Sequence, residues 1–129
     1  MVTRRSAIMG IAGLAGTLCA AARASEFHSY NAQAVQRLVA SGRSVVVHVY
    51  GPWCLQCHIQ AYYLDGLKDD PAYSDVTFFR VDSDNQKDVV AKFGCPRSTV
   101  IASKRGREVA RMSWGVTRDS VVEVLKAAI

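Results

Sequence analysis

The 129-residue chain predicts an α/β fold, a central mixed β-sheet flanked by helices, on three observations. Val45 to Tyr50 (VVVHVY) is β-branched and almost continuously apolar, the pattern of a strand covered on both faces. Runs of this kind alternate along the chain with stretches whose apolar residues recur at helical spacing. Near the C-terminus a glycine-containing turn joins two short runs, so a hairpin closes the sheet.

Before the first element stands a different kind of segment. Met1 to Arg5 is basic, Ser6 to Ala20 is apolar and broken by small residues, and Ala22-Arg23-Ala24 has the small-x-small pattern that a signal peptidase accepts. Met1 to Ala24 therefore reads as a secretory signal peptide, with cleavage after Ala22 as the near alternative, and residues 25–129 as one domain. The apolar run falls short of the roughly 20 residues a spanning helix needs. Arg4-Arg5 is followed by Ser6-Ala7 and lacks the bulky apolar residue of a twin-arginine signal, so the general secretory route serves as well. Loss of Arg4, Arg5 and Arg23 takes the 16 basic residues to 13 against 11 acidic ones, a balance of +2. The basic character of the chain thus belongs largely to the leader and gives no reason to expect nucleic acid as a partner.

Phe27 to Tyr30 reads as a first strand. Asn31 opens a helix with Ala34, Val35, Leu38 and Val39 on one face, stopped by Gly42. After the strand Val45 to Tyr50, residues Cys54 to about Lys68 turn helical, with Ile59, Tyr62, Tyr63 and Leu67 as the expected buried set. Val76 to Val81 is a strand and Asp84 to Phe93 a short helix ended by Gly94. Thr99 to Ala102 and Glu108 to Met112 flank the turn Lys104 to Arg107, and Trp114 reads as sheet-end packing. Thr117 caps a last helix whose apolar face carries Val121, Val122, Val124 and Leu125.

Cys19 leaves with the leader, so Cys54, Cys57 and Cys95 remain in a compartment where disulfides persist, and at least one thiol is unpaired in a monomer. In GPWCLQCHIQ, Gly51 to Gln60, the pair falls between the carboxyl end of a buried strand and the first turn of a helix. Free backbone N–H groups and the positive end of the helix dipole favour thiolate there, which makes Cys54 the candidate nucleophile. Cys57, three positions on, shares its helical face at a separation that suits a disulfide, and is the candidate resolving thiol. Trp53 would form a flat apolar rim for a partner's polypeptide.

VVVHVY, PWCLQC, the later strand VTFFRVD, the hairpin STVIASKRGREVAR and the final helix resemble thioredoxin-family proteins over nearly the whole chain after the leader. The resemblance implies a thioredoxin fold and exchange of a Cys54–Cys57 dithiol or disulfide with protein thiols, chemistry that needs no cofactor. His48 stands where the family carries a buried aspartate six residues before the first cysteine. Counting back from the aspartate at the end of the next strand puts Phe78 where a lysine often pairs with it. His48 is then the candidate acceptor of the Cys57 proton, with resolution of the mixed disulfide expected to slow as pH falls through the histidine pKa. Counting back eight residues from Gly106 puts Ser98 in the slot of the family's cis-proline, followed by Thr99. A cis bond before serine costs roughly 3 kcal/mol, so a trans Arg97–Ser98 peptide is expected. Ser98 and Thr99 join Trp53 as candidate substrate contacts, and serine in that slot is expected to ease access to the thiols. Cys95, just before the loop, reads as an unpaired surface cysteine or as a third thiol.

Two other chemistries fit parts of the same stretch. Cys57-His58 completes C-x-x-C-H, an attachment pattern for c-type haem, with Met112 as distal ligand, and Cys54, Cys57, His58 and Cys95 are four residues of zinc-binding type. A single C-x-x-C in a chain already accounted for as a packed sheet favours exchange, and no metal is assigned. The reading is an exported, periplasmic or secreted, monomeric oxidoreductase, with reduction the favoured direction and a membrane-bound redox partner then needed to supply electrons. Protein recovered from the periplasm should have an intact mass lacking Met1 to Ala24; the full-length chain in the membrane fraction would contradict the cleavage.

Overall fold

The computed structural model describes residues 26–129; the leader expected over Met1 to Ala24, and Ser25, lie outside them. The elements are β1 (Phe27–Ser29), α1 (Ala32–Ala40), β2 (Val45–Tyr50), α2 (Leu55–Leu67), β3 (Thr77–Asp82), α3 (Lys87–Phe93), β4 (Thr99–Lys104), β5 (Arg107–Ser113) and α4 (Arg118–Ala127), with a 3-10 turn at Pro71–Tyr73 before β3. The five strands form one sheet in the order β1-β3-β2-β4-β5. β1, β3 and β2 run parallel, and β4 and β5 are antiparallel to their neighbours. Among the described residues no helix is long and apolar enough to cross a membrane.

β2 lies at the centre, and strand alternation sends its side chains to two cores. Val46 joins Leu64 and Leu67 of α2, Phe78 of β3, Val100 and Ala102 of β4, and Val121, Val124 and Leu125 of α4. Val45, Val47 and Val49 point the other way, with Val35 of α1, Phe79, Val81 and Ile101, flanked by Val89, Val90 and Phe93. Burial on both faces is why the strand carries almost no polar residue.

Local chemistry sets the boundaries. The Asn31 side chain accepts the Ala34 N–H and that of Thr117 the Ser120 N–H, so each opens its helix as an N-cap. α3 starts three residues later than expected because Asp82 captures the intervening backbone: its carboxylate accepts from the Asp84 N–H at 2.9 Å and the Asn85 N–H at 3.3 Å. The hairpin turn is only Arg105-Gly106, both at positive φ (53° and 85°), the two-residue turn whose twist suits a tight hairpin. β4 and β5 therefore run longer than expected.

The helix that carries the cysteines departs most from expectation. Its buried stripe is Cys57, Gln60, Ala61, Leu64 and Leu67, whereas Tyr62 is 76% exposed. A polar glutamine occupies an inward position and a tyrosine an outward one, so a reading by hydrophobicity turns the helix away from its true face. Leu64 is fully buried between β2 and α4. Leu64→Ala should lower stability by about 2–5 kcal/mol, read as a lower denaturant midpoint with an unchanged slope.

Candidate active site

Gly51 and Pro52 turn the chain out of β2, and the Cys54 N–H donates to Gly51 O at 3.0 Å. A side chain at Gly51 would press on the Ser83 hydroxyl, since a Cβ there falls 3.0 Å from Ser83 Oγ. Cys54 then takes the N-cap position of α2, with extended backbone angles, and its sulfur accepts the Cys57 N–H at 3.3 Å. A cap normally supplied by a serine or aspartate oxygen is here made by sulfur. The negative partial charge this requires is what a thiolate offers.

Both motif cysteines are free thiols, 2% and 0% exposed. Burial works against the Cys54 thiolate, but the Cys57 thiol, the Cys57 N–H, the Ser98 hydroxyl and the Arg97 guanidinium together outweigh it and hold its pKa below the ordinary thiol value. Cys57 is pushed the other way, by burial first and then by its hydrogen bond to Cys54. The thiols are thus unequal in the order expected of a nucleophile and a resolving partner.

Ser98 faces this pair. Its peptide bond to Arg97 is trans, its φ is +63°, and it is fully buried. The Ser98 N–H donates to Val49 O at 2.9 Å, and its hydroxyl lies 3.7 Å from Cys54 Sγ. A proline could neither adopt that φ nor donate that hydrogen bond. The expected easier access is not found: serine closes the loop onto β2 and leaves Cys54 almost covered. Thr99 is buried too, its hydroxyl donating to Pro96 O at 2.8 Å and pairing with Ser113 Oγ at 2.8 Å. Neither side chain lines an open path; of the loop residues before them, Pro96 is exposed and Arg97 half-buried.

Gln60, three residues past Cys57 on the buried stripe, holds that loop. Its Nε2 donates to Ser98 O and to Gly115 O, each at 2.9 Å, which turns its Oε1 toward His48 Nε2 at 3.0 Å. His48 must therefore carry its proton on Nε2, and its Nδ1 is buried without a partner. The histidine reaches the motif helix through Gln60; no hydrogen bond joins it to Cys57. Burial first, then the positive charge of Arg80, lower its pKa from 6.5 to about 3, against the opposing pull of the Gln60 hydrogen bond. Burial and Arg80 thus move a His48 inflection well below neutral pH. In register His48 pairs with Arg80, while Phe78, which fills the family's lysine slot, lies opposite Val46. A cation does stand beside the aspartate slot, two residues later than the lysine slot.

Trp53 is 59% exposed, as a rim residue should be, and its indole N–H is shared between the Asp84 carboxylate oxygens at 2.8 and 3.1 Å. Trp114, expected to pack at the sheet end, is instead 42% exposed. It sits at φ +65° and donates its backbone N–H to Ser98 O at 2.8 Å. Left-handed backbone at residues other than glycine costs about 1–3 kcal/mol each, and Ser98 and Trp114 carry two such positions against each other. His58 is exposed, but its Nε2–H donates to Pro52 O at 2.6 Å and its Nδ1 accepts from the Tyr50 hydroxyl at 3.1 Å. The Met112 thioether accepts the Gly115 N–H at 3.1 Å. Both haem-ligand candidates are thus engaged internally. Cys95 is half-buried against the core of the opposite sheet face, with burial raising its pKa. Among the described residues no group of three or more His, Cys, Asp or Glu gathers, so Cys54, Cys57, His58 and Cys95 do not converge.

The geometry is that of a helix-start dithiol on a mixed sheet, and the family model described as Thioredoxin matches residues 26–127. The chain belongs to the thioredoxin family. It is similar to the solved structure of Trxlp from Edwardsiella tarda, with 32% identity and a TM-score of 0.73, covering 78% of this chain and 98% of that one. Fasciola hepatica thioredoxin is 27% identical (TM-score 0.65; 76% and 94% covered), and Schistosoma mansoni thioredoxin is 24% identical (TM-score 0.68; 82% and 98% covered). Among curated proteins, none matches the chain at the level of sequence. Membership gives the general activity, thiol–disulfide oxidoreduction, and the thioredoxin fold.

A pH test follows from His48. Between its folded pKa of about 3 and the ordinary 6.5, the unfolded chain binds a proton there that the native protein does not. Stability should therefore drop by about 1.4 kcal/mol for each pH unit lost within that window, with no contribution above it. Urea midpoints at several pH values should show this acid slope in the wild type and a shallower one in His48→Leu, whatever the variant's absolute stability.

Proposed function

We propose that the protein is an exported thiol–disulfide oxidoreductase of the periplasm, monomeric, acting on protein substrates and working as a reductant. The observation that carries the reading is the inequality of the two thiols: Cys54 caps α2 with its sulfur, and Cys57 lies one turn deeper with a raised pKa. In the reductive direction the Cys54 thiolate attacks a substrate disulfide, forming a mixed disulfide and releasing one substrate thiolate, which takes up a proton. Cys57 then loses its proton and attacks the Cys54 sulfur. The Cys54–Cys57 disulfide forms, the second substrate thiolate leaves, and two electrons have passed from protein to substrate. No cofactor takes part.

The direction is supported by how Cys54 is activated. Strong oxidants owe their potential to a reduced form made very stable by an exposed, strongly acidic thiolate. Here burial opposes the Cys54 thiolate and limits how far the surrounding donors lower its pKa. A reductant in an exported compartment needs a membrane-bound electron donor, and the apolar rim around Trp53 suits such a partner as well as a substrate. His48 acts by holding Gln60, and through it the Ser98 loop, rather than by taking the Cys57 proton directly.

Cys57→Ser expressed with its own leader should accumulate mixed disulfides through Cys54, seen as reducible higher-mass bands. Equal trapping by Cys54→Ser would reverse the roles. The potential of the wild-type pair should fall in the reducing half of the family span of about −270 to −120 mV, and a value near its upper end would assign oxidation instead.

A further inference from the structure

Arg97 stands beside Cys54 and pairs with no carboxylate among the described residues. Its guanidinium carbon lies 4.3 Å from the centre of the Trp53 ring and 5.1 Å from that of Trp114, so the cation bridges two indoles from different loops. Its Nε is buried without a hydrogen-bond acceptor. The ion pairs among the described residues are Lys68–Asp69, Arg80–Asp65 and Arg111–Glu108, none of which involves it. The Asp84 carboxylate accepts the Trp53 indole N–H and forms no ion pair with Arg97.

The backbone is bent to produce this arrangement. Ser98, directly after Arg97, and Trp114 both hold left-handed angles, and they are tied to each other by the Trp114 N–H to Ser98 O bond. A left-handed tryptophan is a conformational outlier, and what this one gains is a ring set against the guanidinium. Trp53, Leu55, Trp114 and Val116, all exposed, give the surrounding segments an apolar surface. A partly desolvated cation whose Nε lacks an acceptor and which pairs with no carboxylate favours any ligand that brings one to it. These exposed apolar side chains suit a stretch of polypeptide around that carboxylate.

We propose that Arg97, gripped between Trp53 and Trp114, is a specificity-determining residue that pairs with a carboxylate beside the reacting cysteine of a protein substrate. The enzyme would then select acidic cysteine-containing segments. The inference rests on the oxidoreductase reading above and adds the substrate's chemistry to it. Arg97 also lies close enough to favour the Cys54 thiolate, so its removal slows exchange generally, and selectivity has to be read as a ratio of rates.

The test uses three peptides differing only in the residue next to a single cysteine, Glu, Gln or Lys, each joined through that cysteine to the same neutral thiol. The reduced wild-type protein should release the Glu peptide about tenfold faster than the Lys peptide at low salt, with the ratio shrinking at high salt. Arg97→Gln should bring the ratio to about two or less, and Arg97→Lys, which keeps the charge but not the planar stack, should retain a reduced preference of the same sign. A ratio as large in Arg97→Gln as in the wild type would overturn the proposal. So would a wild type that releases all three peptides equally fast. A wild type inert toward the neutral Gln peptide as well would instead remove the exchange chemistry beneath it. Glutathione disulfide reacting faster than the Glu peptide would make a small acidic thiol the occupant and overturn the assignment to a protein segment.

Discussion

The site depends on how the first turn of α2 is capped. A helix start leaves N–H groups without partners, and a side-chain oxygen usually receives one of them. Here the receiver is the Cys54 sulfur, which takes the Cys57 N–H at 3.3 Å. The contact closes the helix and stabilises negative charge on the sulfur, so fold and reactivity share one interaction. It also places the second cysteine, because the donating N–H belongs to Cys57. That hydrogen bond adds to the Cys57 thiol, Ser98 and Arg97 in drawing the outer sulfur toward thiolate, while the inner one is kept protonated by burial and by its neighbour.

A cap of this kind works only if the opposite wall stays in place, and Gln60 supplies that constraint. Its carboxamide bonds at once to His48 of β2, Ser98 of the loop before β4 and Gly115 of the loop before α4. Three segments distant in sequence are tied to the helix that carries the cysteines. Gly115 is fitted to its place: a Cβ there would collide with Met112 Sδ and lie 2.7 Å from Ser120 Oγ. A fully buried, fully bonded amide fixes geometry at little net cost, whereas one left unbonded would be expensive. His48 belongs to this scaffold, its imidazole held neutral by burial and by Arg80 in register on β3.

The fold was legible because its determinants are local. The apolar run at Val45–Tyr50, the caps at Asn31 and Thr117 and the stop at Gly94 act within a few residues of themselves, and the structure has all of them. The cysteine motif was legible for the same reason, since strand end, turn and helix start are contiguous. What escaped depends on contacts across the sheet. The inward face of α2 was misjudged because Gln60 is polar, although its place three and six residues beyond the two cysteines marks it as facing inward with them. Arg80 was missed because register, and not counting from a landmark aspartate, decides which residue stands beside His48. Arg97 and Trp114 have no motif, and the paired left-handed turns at Ser98 and Trp114 bring them against each other.

The central claim is that Cys54 is the activated thiol and Cys57 the suppressed one, and thiolate absorbance followed against pH tests it most directly. The reduced wild type should show a first ionisation below that of an ordinary cysteine and a second above it. In Cys54→Ser the low step should vanish and a high one remain; in Cys57→Ser a single step should remain that belongs to Cys54. A low ionisation that survives in Cys54→Ser and disappears in Cys57→Ser would contradict the account, because the nucleophile would then be the thiol inside the helix and not the one that caps it.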